Sequence, residues 1–131
     1  MQTKILLAED DADDQMLFND YLKERNDILI LPVAENGEEV IELLNATEND
    51  KDLPDLIILD QNMPKRNGLQ TLQFLKETDR FSRIPVVFYS TYADHQLVTA
   101  CTHNGAVAVV TKPITKEGYD EMIDAFLQVI D

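Results

Sequence analysis

Cysteine occurs once in this 131-residue chain, at Cys101, and bases are scarce, with 11 Lys and Arg against 25 Asp and Glu. A lone cysteine excludes an internal disulfide and any cysteine-cluster metal site, and it fits a reducing compartment. A formal charge of -14 sets the general surface against nucleic acid and anionic lipid, so neither is expected as a partner. No apolar run approaches the roughly 18 residues of a membrane span. The segment Met1-Gln2-Thr3-Lys4 leads through a short apolar stretch straight into acids, which is no signal peptide. Long linkers, low-complexity tracts and repeats beyond a strand–helix unit are missing too. What remains is 44% hydrophobic with 4 Gly and 5 Pro, a balance that predicts one cytoplasmic globular domain over residues 1–131. A chain of this size buries roughly two-thirds of its unfolded surface, enough for a core without staples.

Five short apolar runs recur: Ile5–Ala8, Ile28–Leu31, Leu56–Leu59, Val86–Tyr89 and Val107–Val110. None alternates with polar residues, so each reads as a strand of a parallel sheet covered on both faces. Segments of helical period lie between them. The clearest carries Tyr119, Met122, Ile123, Phe126, Leu127 and Ile130 as one apolar stripe. Leu17, Tyr21 and Leu22 mark the first helix, Val40, Ile41 and Leu44 the second, and Leu69, Leu72 and Leu75 the third. A fourth runs from about Asp94 to Asn104 and stops at Gly105. The polar stretch Asn45 to Pro54 reads as an exposed loop. Five strand–helix units give an α/β fold, a doubly wound (βα)5 parallel sheet with right-handed crossovers and helices on both faces. In such a sheet, function belongs at the carboxyl ends of the strands.

Those ends are chemically loaded. The first strand runs into Glu9-Asp10-Asp11, the third into Asp60-Gln61-Asn62-Met63-Pro64, the fourth into Ser90-Thr91 and the fifth into Thr111-Lys112-Pro113. Two carboxylates 4 Å apart repel by about 4 kcal/mol at an effective dielectric near 20. One can protonate, a lysine can neutralise one, or a hard divalent cation can sit among them. Mg²⁺ fits best, because it takes a few carboxylate or carbonyl oxygens and still has room for a phosphate. An aspartate beside it can attack phosphorus and carry an acyl phosphate, with Lys112 and the Ser90 hydroxyl placed to offset charge on the phosphoryl oxygens. Taken singly, these residues are ordinary: Asp11 or Asp13 serves as a cap of the first helix, Asp14 reads as solvated surface, and Lys-Pro after a strand is a common turn. His95 and His103 read as surface residues of the fourth helix, and Cys101 as a core thiol.

In combination, Glu9-Asp10-Asp11, the Asp60-x-x-Met63-Pro64-x-x-x-Gly68 run, Ser90 and Lys112-Pro113 resemble the receiver domain of two-component response regulators, over residues 3 to 130. The resemblance implies a flavodoxin-like sheet of order 2-1-3-4-5, as in chemotaxis receivers. It implies that Asp60 accepts a phosphoryl group from a sensor histidine kinase or a histidine phosphotransfer protein. It further implies Mg²⁺ held by Glu9, Asp10, Asp60 and the backbone carbonyl of Asn62, with Ser90 as the switch hydroxyl and Lys112 as the phosphate-contacting lysine. By the same resemblance the Lys112–Pro113 bond is cis, and Gly68 makes the tight turn into the third helix. Downstream proteins dock on the face of the fourth helix, fifth strand and fifth helix.

Three positions vary the family pattern. Val109 stands where many receivers carry a switch Tyr or Phe, Thr91 stands where a small residue is usual, and Tyr92 is expected to screen water from an acyl phosphate. Because the sequence ends at Asp131 right after the last helix, no output domain is expected, and the chain would act by binding proteins or relaying phosphate. The acidic segment before the third strand is similar to that of stand-alone receivers paired with phytochrome-type kinases. Two other readings compete. A haloacid-dehalogenase-like phosphohydrolase needs a second Asp two residues after its nucleophile, and Asn62 stands there. A pseudo-receiver that only scaffolds would lack the acids, hydroxyl and lysine, which are all present.

Overall fold

The computed structural model describes residues 2–130. Among them are five parallel strands and five α-helices in strict alternation. The strands are β1 (Thr3–Ala8), β2 (Ile28–Ile30), β3 (Leu56–Leu59), β4 (Val86–Ser90) and β5 (Ala108–Thr111). The helices are α1 (Ala12–Leu22), α2 (Gly37–Ala46), α3 (Gly68–Glu77), α4 (His95–His103) and α5 (Lys116–Ile130). The sheet order is β2-β1-β3-β4-β5, as expected.

Side chains alternate across the pleat even though the strands read as continuous apolar runs. Ile5, Leu7, Ile58, Val87 and Tyr89 pack with Phe18 and Leu22 of α1 and with Tyr119, Ile123 and Phe126 of α5. Leu6, Ala8, Ile57, Leu59, Val86 and Phe88 pack with Val40 and Leu44 of α2, Leu72 and Leu75 of α3 and Cys101 of α4. Only the inner strands are covered as predicted. Leu29 on β2 is 44% exposed and β5 is only partly buried. Both lie at sheet edges, where the flanking helices give less cover.

Four helices open on a side-chain cap at the carboxyl rim of the sheet. Asp11 accepts from the Asp14 N–H at 3.0 Å, Asn36 from Glu39 at 3.0 Å, and Asp94 from Leu97 at 2.9 Å. Asn67 and Gln70 close a reciprocal capping box. Each cap satisfies an orphan N–H and fixes the turn where a strand hands over to its helix. Gly68 is required by close approach: a Cβ there would lie 2.5 Å from the Asp60 carbonyl oxygen and 2.6 Å from Phe88. Gly105, at φ +103°, ends α4 in the left-handed region.

Two expectations are corrected. The segment Asn45 to Pro54 is not a loop throughout, since α2 continues to Ala46 and Asp50–Asp52 form a 3-10 turn. It is also anchored, because Leu53 is buried in the core. The described residues contain no cis peptide bond, so Lys112–Pro113 is trans. The lysine reaches the site from the trans geometry because its long stem runs inward, with only 9% of the side chain exposed.

Candidate functional site

Strand register builds the site. Ala8 pairs with Leu59 across β1 and β3, so the next residues, Glu9 and Asp60, emerge side by side, and the Asp60 N–H donates to the Ala8 carbonyl at 3.2 Å. Ser90 pairs with Thr111 across β4 and β5, and the Lys112 N–H donates to the Ser90 carbonyl at 2.8 Å. Four chain segments thus meet at one rim.

Glu9, Asp60 and Ser90 are buried there, a costly place for polar groups unless they are paired. One carboxylate oxygen from each of Glu9, Asp10 and Asp60 lies within 4.8 Å of the others. Asp10 is the exposed member and opens the cluster to solvent. The Lys112 ammonium sits 2.7 Å from Glu9 Oε1, 2.8 Å from Asp14 Oδ2 and 3.1 Å from Asp60 Oδ2. It also lies 5.0 Å from the centre of the Tyr89 ring, a cation–π distance. The Tyr89 hydroxyl donates to Glu9 Oε1 at 2.8 Å, the Asp11 N–H donates to Glu9 Oε2 at 3.1 Å, and the Asn62 N–H approaches Asp60 Oδ1 at 3.4 Å. Ser90 Oγ makes only a long contact, 3.5 Å to the Tyr92 carbonyl, which leaves the hydroxyl available to another acceptor.

The electrostatics follow from these contacts. Burial pushes the Glu9 carboxyl above its ordinary value, against hydrogen bonds from Lys112, Tyr89 and Asp11 that favour the anion. Burial also opposes the Lys112 charge, but hydrogen bonds to Asp14 and Glu9 and the field of Asp60 outweigh it, so the ammonium is held above its ordinary range. Burial and the neighbouring Glu9 charge push the Tyr89 hydroxyl well up, keeping it a donor. One ammonium faces four carboxylates, counting Asp10, and this excess of anionic oxygen suits a hard cation.

Glu9, Asp10, Asp60, Ser90 and Lys112 are brought together as the sequence suggested, and Asn62 lies on the turn beside them. Asp14 is a correction: it is not plain solvated surface but a direct partner of Lys112. The reason is positional, since α1 starts at the rim and its first turn faces the sheet end. Two further residues went unsingled. Tyr89 hid within an apolar run, and the Gln15 side chain donates to the Glu9 carbonyl at 2.6 Å. Their helix and strand positions beside Glu9 were the only available signal. Tyr92 is 74% exposed, His95 and His103 are exposed, and Cys101 is fully buried with its thiol pushed up to about 11 by burial.

A family profile described as the response regulator receiver domain matches residues 5–124. The chain belongs to the response regulator receiver family. It is 30% identical over 125 residues to the probable C4-dicarboxylate response regulator DctR of Bacillus subtilis, covering 95% of this chain and 52% of that protein. A 74-residue stretch is 45% identical to the nitrate/nitrite response regulator NarL of Escherichia coli, covering 56% of this chain and 32% of that protein. The receiver therefore spans about half the length of DctR or less of such relatives. Among solved structures, the Mn²⁺-bound form of response regulator Rcp1 superposes with a TM-score of 0.78 at 28% identity, covering 95% of this chain and 91% of that one. The bacteriophytochrome response regulator AtBRR gives 0.74 at 28% identity, covering 95% and 91%. Receivers are phosphoacceptor signalling domains that bind Mg²⁺ or Mn²⁺ at an acidic pocket, and this chain carries an acidic cluster of Glu9, Asp10 and Asp60. Among the described residues, no helix is long and apolar enough to cross a membrane.

Proposed function

We propose that this receiver accepts a phosphoryl group on Asp60 from a sensor histidine kinase or a histidine phosphotransfer protein. An Asp60 carboxylate oxygen attacks phosphorus, the bond between phosphorus and the donor's imidazole nitrogen breaks, and the imidazole leaves with the bonding pair. The observation that carries this reading is the Lys112 ammonium 3.1 Å from Asp60 Oδ2 within a buried acidic rim. In that position it offsets charge on the phosphoryl oxygens as the group transfers. The Ser90 hydroxyl, on the neighbouring strand β4 at the same rim and held only by a long contact, donates to a phosphoryl oxygen afterwards. Glu9, Asp10, Asp60 and the carbonyl of Asn62 would hold Mg²⁺. When bound, that ion neutralises anionic oxygen on the carboxylates and on the incoming phosphate.

Phosphorylation converts a rim charge into a change of packing, read by a protein partner in the cytoplasm. The docking face is the one formed by α4, β5 and α5, where Val107 and Ile114 are exposed at 46% and 88%. With Val109 in the aromatic position, the response relies on Ser90, Lys112 and the loops they hold. AtBRR is a bacteriophytochrome response regulator, and a light-sensing kinase of that kind is the donor we favour. Intact mass after incubation with acetyl phosphate and Mg²⁺ tests the reading. One phosphoryl group per chain, lost in Asp60→Asn, is the expected result. Unchanged labelling in Asp60→Asn, or continuous turnover of phosphate esters, would contradict it.

A further inference from the structure

Lys112 has three N–H donors and three carboxylates within reach, so a second donor turned to the phosphoryl oxygens, beyond the one already facing Asp60, must leave Glu9 or Asp14. We propose that Asp14 is the partner it gives up: a positioning residue that holds the lysine at rest and competes with the phosphoryl group for it. This inference rests on Asp60 being the phosphoacceptor.

The geometry selects Asp14 among the three. Glu9 is fully buried, and losing Lys112 would strand its charge away from water. Asp60 carries the phosphoryl group itself, so its contact is converted and not abandoned. The Asp14 side chain is 28% exposed, so water replaces the lysine at small cost. Yet Asp14 is no weak partner at rest, because its 2.8 Å contact is shorter than the 3.1 Å contact to Asp60. Its placement is also fixed, since its own N–H donates to the Asp11 cap of α1. The first turn of α1 is thereby tied to the site by one ion pair, and release of that pair reports phosphorylation to α1.

The test compares initial labelling rates with acetyl phosphate and Mg²⁺, in which the Asp60 oxygen–phosphorus bond forms and acetate leaves. Asp14→Asn and Asp14→Ala should label about two- to fivefold faster than the parent, the range set by loss of one partly exposed ion pair. Asp13→Asn removes the same charge from the exposed neighbouring position and should leave the rate unchanged. A rate in Asp14→Asn at or below the parent's overturns the proposal, and so does equal acceleration by Asp13→Asn. A second readout needs no turnover. Beryllium fluoride with Mg²⁺, a tetrahedral phosphoryl mimic, should shift the carboxyl ¹³C resonance of Asp14 in the parent. A resonance that stays fixed while the mimic binds overturns it. If the parent does not label and Asp60→Asn behaves the same, the phosphoacceptor reading fails and this inference falls with it. If the parent labels at Asp60 and only the Asp14 results disagree, this inference alone fails.

Discussion

Among the described residues, two places set three carboxylates against one central cation, and they do opposite work. Lys112 meets Glu9, Asp14 and Asp60 at the carboxyl rim of the sheet. Arg25, just beyond α1, meets Asp27 at 2.7 Å, Asp124 at 2.7 Å and Asp120 at 3.4 Å. The acids of the second cluster are 31–63% exposed, so each has water as an alternative partner. Its guanidinium clips the end of α1 to α5 and is fully matched by its fork of donors. At the rim, Glu9 and Asp60 have almost no water, and a fourth carboxylate, Asp10, adds to the excess. Acids gathered on a cation make a clamp where solvent is plentiful and Lys116 shares the charge of Asp120, and a crowded anionic pocket where solvent is excluded and carboxylates are in excess.

The largest expected difference concerns divalent cation. Removing Mg²⁺ with a chelator should cut acetyl phosphate labelling by roughly 100-fold or more, the scale lost with a group that stabilises transferring charge. In an amide NMR titration, Mg²⁺ should shift residues 9–11 and 60–62 and leave residues 27, 120 and 124 in place. Equal shifts at both clusters would erase the distinction.

Next comes removal of each cation. Lys112→Ala leaves buried Glu9 without its counter-charge and should cost about 3 kcal/mol in urea unfolding without divalent ions. Added Mg²⁺ should restore more stability to this variant than to the parent, because ligand binding to the native state is linked to folding. Arg25→Ala should cost less, about 1–2 kcal/mol, from partly exposed pairs and lost stem packing. Its labelling rate should stay within about twofold of the parent, since rim and clamp share no partner. A larger penalty at Arg25 than at Lys112 would reverse the assignment of roles.

How much of this contrast was legible in the sequence depended on what each residue needed from the rest of the fold. Glu9, Asp60 and Ser90 were legible because each follows directly on an apolar run, and Lys112 because only Thr111 separates it from one; a parallel sheet puts all such positions at one edge. Asp11 was a candidate cap by residue type and position alone. Asp14 was not legible, because whether a first-turn side chain faces the rim depends on how α1 seats against α5. Tyr89 was hidden for a related reason: an aromatic ring inside an apolar strand gives no sign that its hydroxyl reaches a carboxylate 80 positions away in sequence. The edge strands misled, since exposure of Leu29 follows from strand order and not from its neighbours in the chain.

The smallest effect is that of acid on the clamp. The hydrogen bond from Arg25 holds Asp27 below its ordinary value, and Lys116, with help from Arg25, does the same for Asp120. A carboxylate with a lowered folded-state pKa contributes stability above its unfolded value, and this is lost as pH falls through the folded one. Thermal midpoints should therefore drop below about pH 4, and the drop should be shallower in Arg25→Ala. Parallel curves for parent and variant would show that the exposed pairs contribute nothing measurable.

The central claim is tested most directly by finding where the phosphoryl group goes. After incubation with acetyl phosphate and Mg²⁺, borohydride reduces an aspartyl phosphate to homoserine, which peptide mass spectrometry locates. Homoserine at position 60 alone is the predicted result. Homoserine at position 10 or 14, or an unmodified position 60 in a chain that carries phosphate, would contradict the account.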